Sequence, residues 1–247
     1  MQKYIHTQSD EYGDLAVIDD GQKGQYRILS FAVGDEQSIQ LKSEPHILQH
    51  PYTQAMMLSL LFCQPKSVLL LGLGAGSLLS SLHHNVAGVR ITAVELRQSV
   101  IDIAIRYFRL PSSKKISVIC DDAAHYLQQP AIKKVDLIMS DLYNDEGMDK
   151  AQVSTAYLDA CLAQLKVNGW LVLNCWDGAQ EQPSLLAYLK KSFADVRTCE
   201  SGDGNVVIIA GRQKDLKSAS ELKKVAVKLS LKLEFNLQPY LSNLVLK

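Results

Sequence analysis

The segment that most restricts the fold is Leu69–Leu82, "LLLGLGAGSLLSSL", in which a short apolar run reaches three alternate glycines and then resumes. It predicts a buried strand, a tight loop at Gly72, Gly74 and Gly76, and a helix. In open α/β sheets such a unit binds nucleotides at the carboxyl ends of the strands, because glycine lets a ligand approach main-chain N–H groups. A purely structural tight turn is the alternative, since GxGxG alone is a weak pattern.

The chain after this segment keeps alternating between strands and helices. Apolar runs predict strands at "VRITAVEL", "ISVICDD", "VDLIMSD" and "WLVLNCW". Because these runs show little alternation, both faces of the strands are expected to be covered, as in a parallel α/β sheet. Helices are predicted at "QSVIDIAIRYF" and at "STAYLDACLAQLK", where Ser154 is the N-cap and Gly169 lies just beyond the end.

The last part of the chain predicts a different arrangement. "DVRTCES" and "NVVIIAGR", joined by "GDG", are typical of a hairpin, and a final helix is expected from about Ala219 to Leu231. By analogy, a parallel sheet that ends in an antiparallel hairpin is the AdoMet-dependent transferase variant of the doubly wound fold. The predicted fold class is therefore α/β and Rossmann-like.

The first 50 residues follow another pattern. Short alternating runs, "DLAVIDD", "QYRILSFAV" and "QSIQLKS", are separated by turn-forming residues and predict a small antiparallel sheet. "HPYTQAMMLSLLFCQP" then predicts a helix bounded by Pro51 and Pro65. We expect two domains: a β domain at residues 1–50, and a Rossmann-like domain at residues 51–247 that includes the C-terminal helix.

Composition excludes several classes of protein. Lys and Arg total 26, as do Asp and Glu, and there is no basic block suited to nucleic acid. The polar N-terminus does not resemble a signal peptide, and no apolar run approaches the ~20 residues that span a bilayer. The five cysteines form no CxxC pair, and prolines around His46 and His50 argue against a helix presenting both to a metal. We expect a cytoplasmic protein without a metal site.

Acidic residues follow the second and third predicted strands. Glu95 ends "ITAVE", 19 residues after Gly76, where a carboxylate accepts hydrogen bonds from ribose hydroxyls. A solvated charge at a strand end is the alternative for Glu95. After the third strand, Asp122 and the backbone of Ala123 are the candidates for recognising adenine, with Asp121 as the close rival. These strand ends together predict an adenosine pocket.

The fourth strand end carries the candidate reacting group. Asp141, after "VDLIMS", can hold a cationic amine and accept its proton. A capping Asp in a turn is an equally weighted alternative. Tyr143, Asn144 and Asn174 are candidates for the lining of the pocket, as is Trp176, which could equally belong to the core. Because residue 75 is Ala and residue 77 is Ser, the loop favours an adenosine-plus-sulfonium ligand over a dinucleotide.

These segments resemble the spermidine synthase family, the polyamine aminopropyltransferases, and in particular its divergent bacterial branch. The resemblance covers "HPYTQAMM", "VLLLGLGAGSL", "AVELRQSVIDIAIRYF", "DDAAHYL" and "DLIMSDLYND". It implies an N-terminal β domain, a Rossmann-like catalytic domain and a homodimer. The implied reaction transfers an aminopropyl group from decarboxylated AdoMet to putrescine. The implied site has Gly72, Gly74 and Gly76 at the nucleotide, Glu95 at the ribose, Asp122 and Ala123 at the adenine, Asp141 as acid/base, and Tyr52 in the amine channel.

The chain departs from the family pattern at five positions. Ala75 stands where the family has an Asp that meets the donor amine, and Gln54 and Leu58 stand where Glu and His follow the tyrosine. Asn144 replaces the second Asp of the diamine signature, with Asp145 one step out of register, and Asn174 replaces a Gln. Each lost charge-assisted contact costs ~1.5–3 kcal/mol, so several together could weaken putrescine binding by orders of magnitude.

The leading hypothesis is thus an aminopropyltransferase that uses decarboxylated AdoMet and a small amine, putrescine or another polyamine. One alternative is an AdoMet-dependent methyltransferase on the same fold, which the changes at Ala75 and Asn144 favour. Another is a catalytically silent nucleoside-binding homologue. The sequence leaves the acceptor, the choice between the two donors and the oligomeric state open.

Overall fold

A computed structural model describes residues 2–31, 36–130, 132–144, 147–176 and 183–247, with Asn144 and Pro183 described by their backbone alone. The N-terminal part forms a four-stranded antiparallel sheet whose strands pair in sequence order. Its strands are β1 (Lys3–Asp10), β2 (Gly13–Asp20), β3 (Tyr26–Ser30) and β4 (Ser38–Leu41). The predicted antiparallel sheet is confirmed, with β1 as an additional, largely polar edge strand.

The second sheet has eight strands in the order β14-β12-β13-β11-β8-β5-β6-β7. They are β5 (Ser67–Leu71), β6 (Arg90–Glu95), β7 (Ile116–Cys120), β8 (Val135–Ser140), β11 (Leu165–Trp176), β12 (Asp195–Glu200), β13 (Asn205–Gly211) and β14 (Leu244–Leu246). The five strands from β11 to β7 run parallel, and β13, β12 and β14 add antiparallel pairs. This is the Rossmann-like sheet with an antiparallel hairpin that the sequence predicts. Two further strands of two residues each, β9 (Tyr143–Asn144) and β10 (Gly147–Met148), pair with one another as a short antiparallel ribbon.

Eight α-helices connect and cover these strands in the described ranges. They are α1 (Pro51–Met56), α2 (Ser77–Asn85), α3 (Gln98–Tyr107), α4 (Ala123–Leu127), α5 (Thr155–Gln164), α6 (Pro183–Ser192), α7 (Ala219–Leu233) and α8 (Gln238–Ser242). Short 3-10 turns occupy Met57–Leu61 and Lys150–Val153. The predicted helix after Pro51 is thus divided between α1 and the first of these turns. Ser154 caps α5 as expected, its hydroxyl accepting from the Tyr157 N–H.

Two expectations about element ends are wrong. Gly169 does not follow a helix terminus, because α5 ends at Gln164 and β11 begins with the next residue. The C-terminal helix does not close the chain, since α8 and β14 follow α7 and β14 pairs with β12. The first error arises because β11 extends beyond its most apolar part, and the second because β14 has only three residues, too few to show a period.

Apolar clusters lie on both faces of the eight-stranded sheet, which explains why its strands are continuously apolar. A third cluster joins β2 and β3 to α3, with Ala75 and Phe108 between them. The N-terminal sheet therefore packs on the helix that follows β6, next to the carboxyl ends of the parallel strands. The division of the chain at residue 50 stays a prediction.

Candidate active site

A cavity of about 850 Å³ lies at the carboxyl ends of the parallel strands, beneath the N-terminal sheet. Eleven of the residues singled out in the sequence line it: Tyr52, Gly72, Gly74, Glu95, Asp121, Asp122, Ala123, Asp141, Tyr143, Asn174 and Trp176. The site that sequence spacing predicts at successive strand ends is therefore brought together around one space, as expected for an open α/β sheet.

The glycine loop passes very close to other parts of the protein. Gly72 has a φ of +91°, and a Cβ there would lie 2.2 Å from the main-chain oxygen of Asp141. Gly74 has a φ of +54°, and its Cβ would lie 2.8 Å from the hydroxyl of Ser38 in the N-terminal sheet. Glycine is therefore required by backbone conformation and by protein packing. Gly76 is the αL N-cap of α2 and lies outside the cavity wall.

The amide groups of this loop are already bonded within the protein. The N–H groups of Leu73 and Gly74 donate to Glu95 Oε2, at 3.0 and 3.4 Å, and the Ala75 N–H donates to Ser38 Oγ at 3.2 Å. The loop thus holds the carboxylate of Glu95 at the cavity. The contact of the loop with a ligand stays a prediction.

Glu95 keeps capacity for a ligand. Its Oε1 accepts from the Arg97 N–H at 3.1 Å, and its Oε2 takes the loop amides. A carboxylate offers about four lone-pair positions, and three are occupied, so one ribose hydroxyl can still donate to it. These bonds fix the orientation of the carboxylate before any ligand arrives.

The two aspartates after β7 differ in their free hydrogen-bonding capacity. Asp121 accepts from His125 Nδ1, from the Asp122 N–H and from Gln129 Nε2. Asp122 caps α4 through Oδ1, which accepts from the His125 N–H at 2.7 Å, and its Oδ2 has no partner within the described ranges. Asp122 is therefore the better-placed candidate for an adenine amine, next to the buried Ala123.

Asp141 lies just after β8, in direct contact with two other candidate residues. Asn174 Nδ2 donates to its Oδ1 at 2.8 Å, and the Tyr52 hydroxyl also hydrogen-bonds to it. Burial raises the pKa of Asp141 to about 6, against the lowering effect of these two bonds, and the charge of Glu95 adds to the increase. A carboxyl group with a pKa close to neutral is suited to accept and return a proton.

Aromatic side chains form the wall next to Asp141. The Tyr143 hydroxyl donates to Asn205 Oδ1 at 3.1 Å, and its ring lies 6.2 Å from that of Trp176. Trp176 is half exposed and packs over Gly147 at the cavity mouth, so it does not belong to the core. Together with Tyr52, these rings offer π faces to a cation near Asp141.

Three of the positions at which the chain departs from the family pattern lie outside the cavity. The Ala75 methyl is fully buried in the apolar cluster between the N-terminal sheet and α3. Leu58 is fully buried in the main core. Gln54, which was expected to bind substrate, donates to the Leu48 carbonyl at 2.7 Å and accepts from the Tyr240 hydroxyl at 2.7 Å.

Asn144 is described only by its backbone, which pairs with Gly147 in the β9–β10 ribbon. Its side chain and Asp145 lie outside the described residues. Their expected part in holding an amine therefore stays a prediction.

The cavity wall carries a strong excess of negative charge. Among the described residues that line it, one is a guanidinium, Arg97, and seven are carboxylates: Glu11, Glu36, Glu95, Asp121, Asp122, Asp141 and Asp149. Burial lowers the pKa of His50, which also lines the wall. The segments 32–35, 145–146 and 177–182 contain no Lys or Arg. Such a cavity favours cationic ligands.

Arg97 is held by the N-terminal sheet, and sequence reasoning missed it. Its Nη2 donates to Asp10 Oδ1 at 2.7 Å, and its guanidinium lies 5.1 Å from the ring centre of Phe31 and 5.8 Å from that of Tyr12. This ion pair fixes the β1–β2 turn against the cavity. No local signal could reveal this role of Arg97, because each of its partners lies more than 60 residues away from it in the chain.

The histidines do not converge at the cavity. His46 Nε2 lies 2.9 Å from Glu234 Oε1, and its ring stacks on that of His84 with centroids 3.7 Å apart. These three side chains form a cluster of potential metal ligands outside the cavity. Their ligand atoms lie within 4.8 Å of one another, and the two rings are inclined by 18°. His50 instead stacks on Tyr52, with 5.4 Å between the rings.

None of the described helices is long and apolar enough to cross a membrane.

Comparison with known proteins shows the family of the chain. The sequence model of the "Spermine/spermidine synthase domain" matches residues 49–207. A polyamine aminopropyltransferase of Neisseria meningitidis is 30% identical over 215 residues, which cover 85% of this chain and 81% of that protein. A spermidine synthase solved with the transition-state analogue AdoDATO superposes with a TM-score of 0.75 at 16% identity, covering 98% of this chain and 84% of that one.

A methyltransferase is also similar. Human methyltransferase-like protein 13, solved with SAH, superposes with a TM-score of 0.68 at 25% identity, covering 75% of this chain and 93% of that one. Fold and site thus define a transferase of the Rossmann-like class. More narrowly, the family match covers more than half of the chain, and the protein belongs to the spermine/spermidine synthase family.

The close approach at Gly72 gives a stability prediction. Gly72→Ala adds a methyl group against the Asp141 carbonyl. Gly202→Ala is the control, because Gly202 has a similar φ, +89° against +91° at Gly72, and no atom within 4 Å of the new Cβ. Both variants carry left-handed strain of roughly 1–2 kcal/mol, and Gly72→Ala should lose a further ~2 kcal/mol or more from the clash. Urea denaturation measures the difference, and equal losses would contradict this account.

The raised pKa of Asp141 gives a second prediction. Because this pKa is about 6 in the folded protein against 3.8 normally, folding favours the protonated form. The resulting stability is fully present below pH about 4 and is lost as the pH rises through about 6. Asp141→Asn should therefore raise the free energy of unfolding at pH 7, by on the order of 2–3 kcal/mol, and leave it nearly unchanged at pH 4.

Thermal unfolding at the two pH values measures this effect. Asp102→Asn, at an exposed carboxylate of α3, is the control and should show no such gain. A less stable Asp141→Asn variant at pH 7 would contradict the assignment of Asp141 as a carboxylate that is costly to ionise.

Proposed function

We propose that the protein transfers the aminopropyl group of decarboxylated AdoMet to a small amine, putrescine or another polyamine, with Asp141 as the acid/base. The observation that carries this proposal is the Asp141 carboxyl, buried beside Asn174 and Tyr52 in a cavity rich in negative charge. Membership of the spermine/spermidine synthase family supports the same reaction.

The adenosine half of the donor fits the strand ends of β6 and β7. The Glu95 carboxylate accepts from a ribose hydroxyl, and Asp122 Oδ2 accepts from the adenine amine while the Ala123 N–H donates to a ring nitrogen. The sulfonium and its propyl chain then extend toward Asp141. The cavity, at about 850 Å³, is large enough for a nucleoside of this size together with an amine.

The acceptor amine attacks the propyl carbon that is bonded to sulfur. A C–N bond forms, the C–S bond breaks with its electron pair going to sulfur, and methylthioadenosine leaves. The Asp141 carboxylate holds the incoming ammonium and takes the proton that the nitrogen must lose. Tyr52, Tyr143 and Trp176 offer aromatic faces to the alkylammonium chain.

The charge of the cavity favours the decarboxylated donor over AdoMet itself. The two donors differ by one carboxylate, which in this cavity would meet like charges. Arg97 is already paired with Asp10, and the N–H groups of the glycine loop are bonded to Glu95 and Ser38. An unpaired buried carboxylate is strongly unfavourable, so these contacts support aminopropyl transfer.

Methyl transfer is the second candidate, because a methyltransferase solved with SAH resembles this chain at 25% identity. Thermal shift with matched concentrations of the two donors separates the candidates. We expect decarboxylated AdoMet to raise the melting temperature more than AdoMet does; a ligand at 100 times its Kd adds about 2.7 kcal/mol of stability. A larger shift with AdoMet would overturn the aminopropyl assignment.

The role of Asp141 predicts a selective loss of activity. Asp141→Asn should lower kcat/KM for aminopropyl transfer by about 10²–10⁴-fold, while methylthioadenosine still binds, because the adenosine contacts are unchanged. Product formation by mass spectrometry and nucleoside binding by calorimetry measure the two effects, with Asp102→Asn as the surface control. Unchanged turnover would remove Asp141 from the mechanism, and nucleoside binding without product from any donor and amine would indicate the silent homologue.

The same proposal fixes the sign of the pH dependence. Since the carboxylate form of Asp141 is the active base and its pKa is about 6, kcat/KM should fall below pH about 6, by about tenfold per pH unit. Initial rates between pH 5 and 9 measure this limb. A rate that does not change across pH 6 would contradict a proton transfer to this group.

A further inference from the structure

A cluster of four buried polar side chains lies next to Asp141; one of them, Asn174, lines the cavity, and Ser140, Gln152 and Tyr157 do not. Gln152 and Ser140 are fully buried, and Tyr157 and Asn174 are 3% and 1% exposed. Gln152 belongs to the 3-10 turn Lys150–Val153, which follows the β9–β10 ribbon, and it does not line the cavity. Buried polar groups are costly unless they are paired, so the contacts of this amide show what it does.

Both the oxygen and the nitrogen of the Gln152 amide form hydrogen bonds. Its Oε1 accepts from Ser140 Oγ at 3.0 Å and lies 3.5 Å from the Leu142 N–H, and its Nε2 donates to the Asn174 carbonyl at 2.9 Å. Ser140 and Leu142 are the two chain neighbours of Asp141. The Gln152 amide thus contacts the residues on both sides of Asp141. It also holds the main chain of Asn174, whose side chain donates to Asp141.

The side chain at this position must accept from Ser140 and also donate to the Asn174 carbonyl, and the Gln amide does both. The carboxylate of a Glu accepts but cannot donate to the Asn174 carbonyl, and an apolar side chain would leave Ser140, Leu142 and Asn174 without these bonds. Tyr157 contributes differently, because its hydroxyl bonds to Ser140 at 2.8 Å and to Cys161 of its own helix, and to no β11 residue among the described contacts. Gln152 therefore bonds to the ends of both β8 and β11, beside the direct bond from Asn174 to Asp141.

We propose that Gln152 is a positioning residue, which holds Asp141 and Asn174 in register so that the carboxylate faces the incoming amine. The part of this inference that concerns catalysis rests on the proposed function of Asp141. The part that concerns geometry does not, because the bond between Asn174 and Asp141 is present in the protein alone.

The hydrogen bond from Asn174 lowers the pKa of Asp141 against the effect of burial. If Gln152 positions Asn174, its removal weakens that bond and raises the pKa further. Tyr52 and Glu95, the other groups that act on the Asp141 carboxyl, keep their identity in such a variant. The titration of Asp141 is therefore a readout that a merely structural role of Gln152 would not move.

The test compares Gln152→Met, which keeps the length but loses the amide, with Tyr157→Phe, which loses one hydrogen bond of the same cluster. Carbon-13 NMR of the aspartate carboxyls, assigned with Asp141→Asn, follows the titration in the free protein. We expect Gln152→Met to move the Asp141 midpoint upward by about half a pH unit or more. In aminopropyl transfer, kcat should fall about 10- to 100-fold with KM changed by less than about twofold.

Tyr157→Phe should lower the melting temperature without moving the Asp141 midpoint. If Gln152→Met does not fold, Gln152→Asn, which shortens the amide by one carbon and keeps its polarity, should show the same direction of change. An unchanged midpoint in the Gln152 variants would overturn the proposal, as would equal shifts in Tyr157→Phe. A shifted midpoint in a protein without transferase activity would contradict the proposed function alone, because the titration requires no substrate.

Discussion

The contact between Gly72 and the main-chain oxygen of Asp141 determines how closely β5 and β8 approach where both leave the sheet. A Cβ at residue 72 would lie 2.2 Å from that oxygen, so only glycine permits the approach. Since Leu73 and Gly74 then donate to Glu95, the same loop also fixes the carboxylate at the end of β6. The carboxylates of Glu95 and Asp141 are thus placed relative to one another by a single stretch of backbone.

The electrostatics of the site follow from this placement. Asp141 lies within reach of the charge of Glu95 and is removed from water, and both effects disfavour its ionisation. Asn174 and Tyr52 act in the opposite direction, each through a hydrogen bond. The outcome is a pKa of about 6, close to the range in which a carboxyl group can exchange a proton with an amine at neutral pH. Burial that costs stability therefore raises the pKa of Asp141 into the range that its proposed acid/base role requires.

The sequence was sufficient for the features that depend on local pattern or on fixed strand spacing. The parallel sheet, its antiparallel hairpin and the convergence of Glu95, Asp122 and Asp141 all follow from apolar runs that end in a polar residue. Contacts between segments that are distant in the chain could not be predicted from the sequence. The pairing of Arg97 with Asp10 and the bond of Gln152 to Asn174 join residues with no shared periodicity. Element ends, such as β14 and the start of β11, depend on pairing partners for the same reason.

The structure also changes the meaning of the departures from the family pattern. Three of them, Ala75, Gln54 and Leu58, lie outside the cavity, so the residues present there are accounted for by packing and by the bond of Gln54 to Tyr240. Counting lost charges along the sequence therefore overstates the loss from the site, because the wall still carries seven carboxylates. Long-range attraction of a cation depends on the summed charge of the wall and not on one residue. This cavity can thus attract an amine although some of its carboxylates stand at positions other than those of the family pattern.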